Sequence, residues 1–416
     1  MAGLLLSLAI VAAAALLVVR GPSHRVDPRV DDAPRASPAA ATEVLQQLTT
    51  ALEAYDQDAL SDLAPDGDGA AAALLRDLGR NAGALDLDEV TARLVEQVGT
   101  VNGDGAWTAM VELGWRFSGY DREPARAQVA VSFAPRGDGL GIAGFAAPAS
   151  AADAREPLWL QARLSVASAP GTLVMVDGPR REAEQVSLRV VRGVEVVRRV
   201  LPDWDPHVVV EVPSTSTGLD RALGAEAGTF RVIAAVTAPV GEATGRDAPV
   251  HVFVNPEVTA GLRRAGAQVV MSHELAHVAT AAASTGVEPW LSEGFADYVA
   301  LRDTRLPDST TLGRALAAVR RDGVPDELPG PEAFGRRGSD LQAAYELAWL
   351  ACRVVADRIG ERGLLSVHRA ASRGTPTGTA LRRAGLGPDD LVTTWRSWLA
   401  AMAGAGRGDD GAPEMR

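Results

Sequence analysis

The sequence contains no lysine and no long run of basic residues. All 41 basic residues are arginine, they are outnumbered by 53 acidic residues, and the formal net charge of the 416-residue chain is −12. Aromatic residues make up only 5% of the chain, and they do not alternate with basic ones. Because binding to nucleic acid phosphates depends on clustered lysine and arginine, this composition excludes nucleic acid as a partner.

Cysteine is almost absent. Cys352 is the single cysteine, so the chain forms no intrachain disulfide, and its cysteine usage indicates no redox compartment. We interpret Cys352 as a buried structural thiol. A chain of 416 residues exceeds what one hydrophobic core usually serves, at roughly 150 residues per domain. The length therefore predicts at least two domains.

The amino terminus carries no charge from Ala2 to Val19, and these eighteen residues are almost all apolar. They reach the lower limit for crossing a hydrocarbon core of about 30 Å. A basic region before the run and a small-residue cleavage site after it are both missing. We therefore predict a transmembrane anchor or signal segment over residues 1–20, and favour an uncleaved anchor. Residues 21–41 contain four prolines and no apolar period, which is typical of a tether.

Residues 42–146 change from a helical to a strand-like pattern. Leucines recur at helical spacing after Thr42, which we expect to cap the first helix. A second helical region with a break near Gly83 is predicted over residues 70–98. Alternating apolar residues over 107–133 then predict antiparallel strands. Helices followed by a curled sheet resemble the small cone-shaped domains of the nuclear-transport-factor-2-like type. We expect this domain to be a spacer, or to bind a protein partner or a ligand.

Residues 156–403 carry strand patterns around one amphipathic helix, and then mainly helical patterns. This order predicts a mixed sheet followed by helices, so we expect the whole chain to be α+β. Residues 404–416 are rich in glycine and charge, and we predict a disordered tail there.

The motif HELAH and the segment that follows it contain the residues that carry chemistry. His273 and His277 lie four residues apart among good helix formers, so both imidazoles project from one face of a helix, about one turn apart. A catalytic zinc usually takes three protein ligands and leaves a fourth position open for water. Glu293, at the start of a second predicted helix after Pro289, is the candidate for the third ligand.

Glu274 follows the first histidine and points to the neighbouring sector of the helix. A carboxylate there can take a proton from a zinc-bound water without binding the metal, so we predict it as the general base. HExxH alone occurs by chance in unrelated helices, but the later Glu293 makes a zinc site the stronger interpretation. We interpret His24, His207 and His251 as surface or strand residues without a chemical role.

These residues resemble the gluzincin metallopeptidases, the group of thermolysin and the zinc aminopeptidases, in which HExxH is followed by a ligand glutamate on the next helix. The segment WLSEGFADY around Glu293 is similar to WLNEGFA of the aminopeptidase branch, and more closely to peptidase-MA-like proteins attached to bacterial membranes. The resemblance implies a zincin-like peptidase domain over residues 156–403, with Zn²⁺ bound by His273, His277 and Glu293. It also implies that Asp297 holds the first histidine through its other ring nitrogen.

The same resemblance implies an edge strand for the substrate and a donor for the oxyanion. Ala234–Ala238 is the candidate for the strand, which in this family pairs with extended peptide. The Gly-x-Met-Glu-Asn motif of the aminopeptidases does not occur there, which favours an endopeptidase. Tyr345, on a helix predicted to end at Gly360, is the first candidate for the donor to the oxyanion. His368 and Tyr298 are the alternatives.

Sequence and resemblance together predict a membrane-anchored zinc metallopeptidase that hydrolyses peptide bonds of protein substrates. A non-catalytic binding or scaffold protein with a structural zinc site is the alternative, and metal-dependent hydrolysis of a non-peptide bond is a third hypothesis. We expect a single-pass protein of a bacterial cell membrane with an extracytoplasmic body. Arg20, Arg25 and Arg29 after the anchor favour the opposite orientation by the positive-inside rule.

Overall fold

A computed structural model describes residues 35–146, 154–241, 247–304, 306–335 and 338–405. The predicted anchor, the tether up to residue 34 and the tail from residue 406 lie outside the described residues. Over the described ranges, no helix combines the length and the apolar character that crossing a bilayer requires. These ranges form an α+β fold with two β-sheets, which confirms the predicted class.

The first unit consists of three helices followed by a four-stranded antiparallel sheet in the order β1-β2-β3-β4. The order of helices before strands agrees with the prediction. The elements are α1 (Pro38–Glu53), α2 (Gln57–Ser61), α3 (Gly69–Leu85), β1 (Leu87–Val98), β2 (Trp107–Phe117), β3 (Ala125–Arg136) and β4 (Gly139–Gly144).

Two sequence-based boundaries in this unit are wrong. The first helix begins at Pro38, before the predicted cap at Thr42, because the Ser37 side chain accepts from the Ala40 N–H and proline suits the first turn. The predicted helical region over residues 70–98, with its break near Gly83, ends at Leu85, where Asp86 turns left-handed with φ 51°, and no helix follows up to residue 98. The residues after it pair with β2 as a strand, since tertiary pairing overrides the helix propensity of their polar residues.

The second unit is built on a five-stranded mixed sheet in the order β5-β6-β7-β9-β8. The three inner strands are parallel, and an antiparallel strand lies at each edge. The predicted edge strand is therefore confirmed, with bounds shifted by one residue. A short helix, α4 (Leu158–Gln161), precedes the strands, which are β5 (Ser165–Ala169), β6 (Thr172–Val176), β7 (Val208–Val212), β8 (Ala235–Pro239) and β9 (Val250–Val254).

Helices connect these strands and follow them. They are α5 (Arg180–Val200), α6 (Ser216–Leu223), α7 (Pro256–Thr259), α8 (Arg264–Thr280), α9 (Pro289–Ala300), α10 (Asp308–Thr311), α11 (Gly313–Asp322), α12 (Pro331–Phe334), α13 (Ser339–Ser372), α14 (Thr377–Arg383) and α15 (Pro388–Ala405). The predicted helix end at Gly360 is confirmed, because α13 consists of two helices that meet at a kink, and Gly360 between them, with φ 78° and ψ 162°, is not helical. Gly404, in the predicted tail, still belongs to α15.

Both faces of the five-stranded sheet are covered, and every residue of β6 is buried. One face shares a core with α5 and α8, through residues such as Val174, Val190 and Leu275. The other face shares a core with the first unit, to which the sheet contributes Leu173, Met175, Val209 and Phe253. The first unit is therefore the layer that covers the second face of this sheet.

His251 forms a buried ion-pair cluster between the two units. Its Nε2 lies 3.0 Å from Oδ1 of Asp121, just after β2, and its Nδ1 lies 2.6 Å from Oε1 of Glu211 on β7. All three side chains are at most 5% exposed. Burial opposes protonation, but the two carboxylates outweigh it and raise the pKa of His251 to about 9. The interpretation of His251 as a strand residue holds, but its ring also joins the units.

A second contact between the units lies directly after the edge strand. Gly241, two residues beyond the end of β8, forms a backbone bridge with Arg126 of β3. Its φ is +71°, and a Cβ at this position would overlap the main-chain oxygen of Arg126. Only glycine allows so close an approach. The first unit thus contacts the chain on the side of β8 that continues toward β9.

Candidate metal centre

The HELAH motif lies in α8, as predicted. The helix ends at Ala281, which is left-handed with φ 51° and donates its N–H to the carbonyl of His277. The rings of His273 and His277 stand at 82° to each other with centroids 4.6 Å apart. Their Nε2 atoms are 3.0 Å apart. Two ring nitrogens at this distance need a proton or a metal ion between them, since two lone pairs repel.

Helix α9 returns the third predicted ligand to α8. It begins at Pro289, which suits the first helical position, and it packs closely against α13. A Cβ on Gly294 would overlap the main-chain oxygen of Ala348, so the residue after the ligand must be small. Oε2 of Glu293 lies 3.2 Å from Nε2 of each histidine. The structure therefore brings the three predicted ligands together.

The donor set fits zinc. The three atoms are separated by 3.0 to 3.2 Å, and tetrahedral zinc with bonds of about 2.0–2.1 Å would separate its ligand atoms by about 3.3 Å. His273, His277 and Glu293 form the one cluster in the described ranges that could hold a metal ion. Two imidazoles and one carboxylate leave a fourth position for water, and the three side chains are 11–22% exposed.

Asp297 and Glu293 determine the charge of the cluster. Oδ1 of Asp297 lies 2.8 Å from Nδ1 of His273, which keeps the proton on Nδ1 and directs the Nε2 lone pair toward the cluster. Burial opposes protonation of His273, but both carboxylates outweigh it and hold its pKa well above the ordinary value. Burial likewise opposes ionisation of Glu293, but the imidazoles hold its pKa well below the usual range. The site therefore favours a cation.

Glu274 lies outside the ligand cluster, as expected for a general base. Its side chain is buried, and Oε2 accepts a hydrogen bond of 2.7 Å from Oγ1 of Thr237 on the edge strand β8. Sequence reasoning did not single out Thr237. The predicted edge strand included it, but no local pattern indicates which side chain of that strand meets α8.

The three candidates for the oxyanion donor lie in different surroundings. The ring of Tyr345 stands at 69° to that of His273 with centroids 6.1 Å apart, and burial, with help from Glu293, raises the pKa of its hydroxyl. His368 packs against Phe295 at 4.5 Å, and burial, with help from His277, lowers its pKa to about 4.

Tyr298 is engaged elsewhere, since its hydroxyl donates to Oε2 of Glu361 at 3.1 Å. The same carboxylate oxygen forms an ion pair of 2.7 Å with Arg302. Burial and the charge of Glu361 raise the pKa of Tyr298 to about 12. Of the three candidates, Tyr345 is the one whose ring faces a predicted ligand and whose hydroxyl keeps its proton at neutral pH.

No protein-family model matches the chain, and no curated protein is significantly similar to it. The assignment of function therefore depends on the geometry of the site and on the motif.

Proposed function

We propose that the protein is a zinc-dependent metallopeptidase of the gluzincin type, with a zincin-like peptidase unit formed by the five-stranded sheet and the helices after it. One observation carries the proposal. His273, His277 and Glu293 converge on one point, while the adjacent carboxylate of Glu274 is held apart from them by Thr237. Three ligands with a separate base form the set that hydrolysis by an activated water requires.

When bound, the zinc ion supplies a Lewis acid that lowers the pKa of a water molecule to about 7 and polarises the substrate carbonyl. Glu274 takes the proton of the attacking water and later passes it to the leaving amine. Asp297 keeps His273 in the tautomer that binds a cation. Tyr345, still protonated at neutral pH, donates a hydrogen bond to the oxyanion. As an edge strand of the sheet, β8 can pair with an extended peptide.

The test combines zinc content with hydrolysis of peptides. Glu274→Gln keeps the shape of the side chain but cannot take a proton, so kcat should fall by at least on the order of hundredfold, and elemental analysis should still find one zinc per chain. Glu184→Gln is the matched control, because Glu184 lies exposed on α5 and pairs with Arg180. This control should keep wild-type activity.

The outcomes separate the alternatives. If wild type and Glu274→Gln both bind zinc and hydrolyse peptides equally slowly, the protein is not a peptidase, and the non-catalytic scaffold is the remaining alternative. Hydrolysis of esters or other non-peptide bonds without any hydrolysis of peptides would support the third hypothesis. A screen of peptide libraries with blocked and free amino termini distinguishes an endopeptidase from an aminopeptidase.

We propose in addition that the first unit is a cone of the nuclear-transport-factor-2-like type. Three helices followed by four antiparallel strands support this assignment. Trp159 of α4 is buried against Trp115, with ring centroids 5.9 Å apart, and Asn81 holds the main chain of Trp159 at 2.9 Å. Trp159, which belongs to the second unit, thus packs against the sheet of the first unit, which favours a protein partner of this unit over a small ligand. A small molecule found between these helices and strands would contradict this.

The proposal also includes attachment to a bacterial membrane through residues 1–20, with the body outside the cytoplasm. Its support is the charge-free segment Ala2–Val19. Deleting residues 1–34 should release the protein from the membrane fraction. Protease added to intact spheroplasts should digest the body of the wild-type protein, and protection from that protease would contradict the orientation.

A further inference from the structure

The edge strand β8 contacts the proposed general base directly. Oγ1 of Thr237, in the middle of β8, lies 2.7 Å from Oε2 of Glu274 and 3.1 Å from its main-chain oxygen. A hydroxyl has one proton to donate, and an ionised carboxylate is a stronger acceptor than a carbonyl. Since the carboxylate oxygen is also the nearer one, Thr237 donates its proton to Oε2 of Glu274.

This hydrogen bond holds one orientation of a flexible side chain. A glutamate turns about three torsions, and Glu274 follows directly after the ligand His273, so its carboxylate could otherwise swing to the metal. Glu274 is only 7% exposed, which makes the loss of its hydrogen-bond partner costly. Among the described residues no group binds its Oε1. One oxygen is thus held by Thr237, and the other remains available to water.

Strand β8 is itself held in place on both sides of Thr237. In the antiparallel pair with β9, Val236 before Thr237 lies opposite Phe253, and Ala238 after it lies opposite the buried His251. After the strand, Gly241 bridges to the backbone of Arg126. The hydroxyl is therefore presented by a strand whose position is fixed by backbone pairing.

We propose that Thr237 is a positioning residue, which holds the carboxylate of Glu274 in its catalytic orientation from the edge strand. The inference rests on the proposed function of the site. Thr237 acts through Glu274.

The experiment uses the full-length, zinc-loaded protein and three variants. Thr237→Val removes the hydroxyl and keeps the shape, Thr237→Ser keeps the hydroxyl, and Thr259→Val is the control. Thr259 lies on α7, where its hydroxyl bonds only to main-chain oxygens. We expect kcat of Thr237→Val to fall on the order of tenfold or more, since a hydrogen bond to a charged group is lost, with KM and zinc content unchanged. Thr237→Ser and Thr259→Val should stay near wild type.

A second measurement does not depend on activity. The full-length proteins carrying Thr237→Val, Glu274→Ala or both are unfolded in urea at equal zinc content, and their losses of stability relative to wild type are compared. Two residues in contact should give losses that are less than additive. If the loss of stability in the double variant equals the sum of the two single losses, Thr237 and Glu274 are not in contact and the inference is overturned. If Thr237→Val does not fold, Thr237→Ala replaces it. Failure of both to fold, beside a folded Thr237→Ser, would show that the hydroxyl serves the fold and would overturn the inference.

The outcomes distinguish this inference from the proposed function. Wild-type kcat in Thr237→Val, an equal loss in Thr237→Ser, or loss of zinc from Thr237→Val would each overturn the positioning role. A wild-type protein whose peptide hydrolysis is absent, or is unaffected by Glu274→Gln, would instead overturn the proposed function. In that case the contact between Thr237 and Glu274 would have no role in catalysis. The urea unfolding of the single and double variants would still measure the strength of the contact.

Discussion

Neutralising His251 should change how stability depends on pH. The imidazole lies between Asp121 and Glu211, at 3.0 Å and 2.6 Å, and the ring of Phe117 stacks on it at 5.6 Å. The charge of Asp121 also interacts with the guanidinium of Arg116. Replacing His251 with glutamine keeps a polar side chain on β9 but removes the cation between the two carboxylates.

The magnitude follows from the pKa of His251, which the folded protein raises from 6.5 to about 9. Each unit corresponds to 1.36 kcal/mol, so the protonated ring contributes about 3 kcal/mol to the free energy of unfolding. Because the folded-state pKa is the higher one, this contribution is complete below pH 6.5. It is lost as the pH rises from 6.5 through about 9.

The assay is urea unfolding of wild type and His251→Gln at several pH values between 6 and 10, at equal zinc content. The stability advantage of wild type over the variant should shrink by about 3 kcal/mol across this range. His207→Gln is the matched control, because the side chain of His207 is 40% exposed, and its curve should follow that of wild type. If the free energies of unfolding of wild type and His251→Gln change with pH in parallel, His251 is not protonated between the two carboxylates, and the reasoning is refuted.

Two further predictions concern the ligands and the shared core. Asp297→Asn weakens the hydrogen bond that orients His273, so zinc affinity should fall about 10- to 100-fold in a competition with a chelator. Asp303→Asn, at an exposed pair with Arg199, should not change it, and an unchanged affinity in Asp297→Asn would exclude the orienting role. A fragment spanning 154–405 exposes one apolar face of the five-stranded sheet and should aggregate in size-exclusion chromatography. A monodisperse, folded fragment would show that the two units do not depend on a common core.

The sequence predicts those features of the site that depend on the geometry of a single helix. The spacing of His273 and His277 places both rings on one face of a helix wherever that helix lies. Pro289 marks the start of the returning helix, and Glu293 is in its second turn. The helical period of the apolar residues around Tyr345 places this tyrosine on the inward side of α13, and its ring stands at 69° to that of His273. Each of these inferences needs only the geometry of one helix or of one reversal.

Contacts between residues far apart in the chain were determined only by the tertiary structure. Leu87–Val98 is a strand because β2 pairs with it, although its own residues fit a helix. Thr237 meets Glu274 across 37 positions, and His251 meets Asp121 across 130. Apolar periodicity indicates that a face is buried, but it does not indicate which element covers it. The motif and its helices were therefore determined by the sequence read locally, whereas the partner of the base and the joining of the two units arose only from packing.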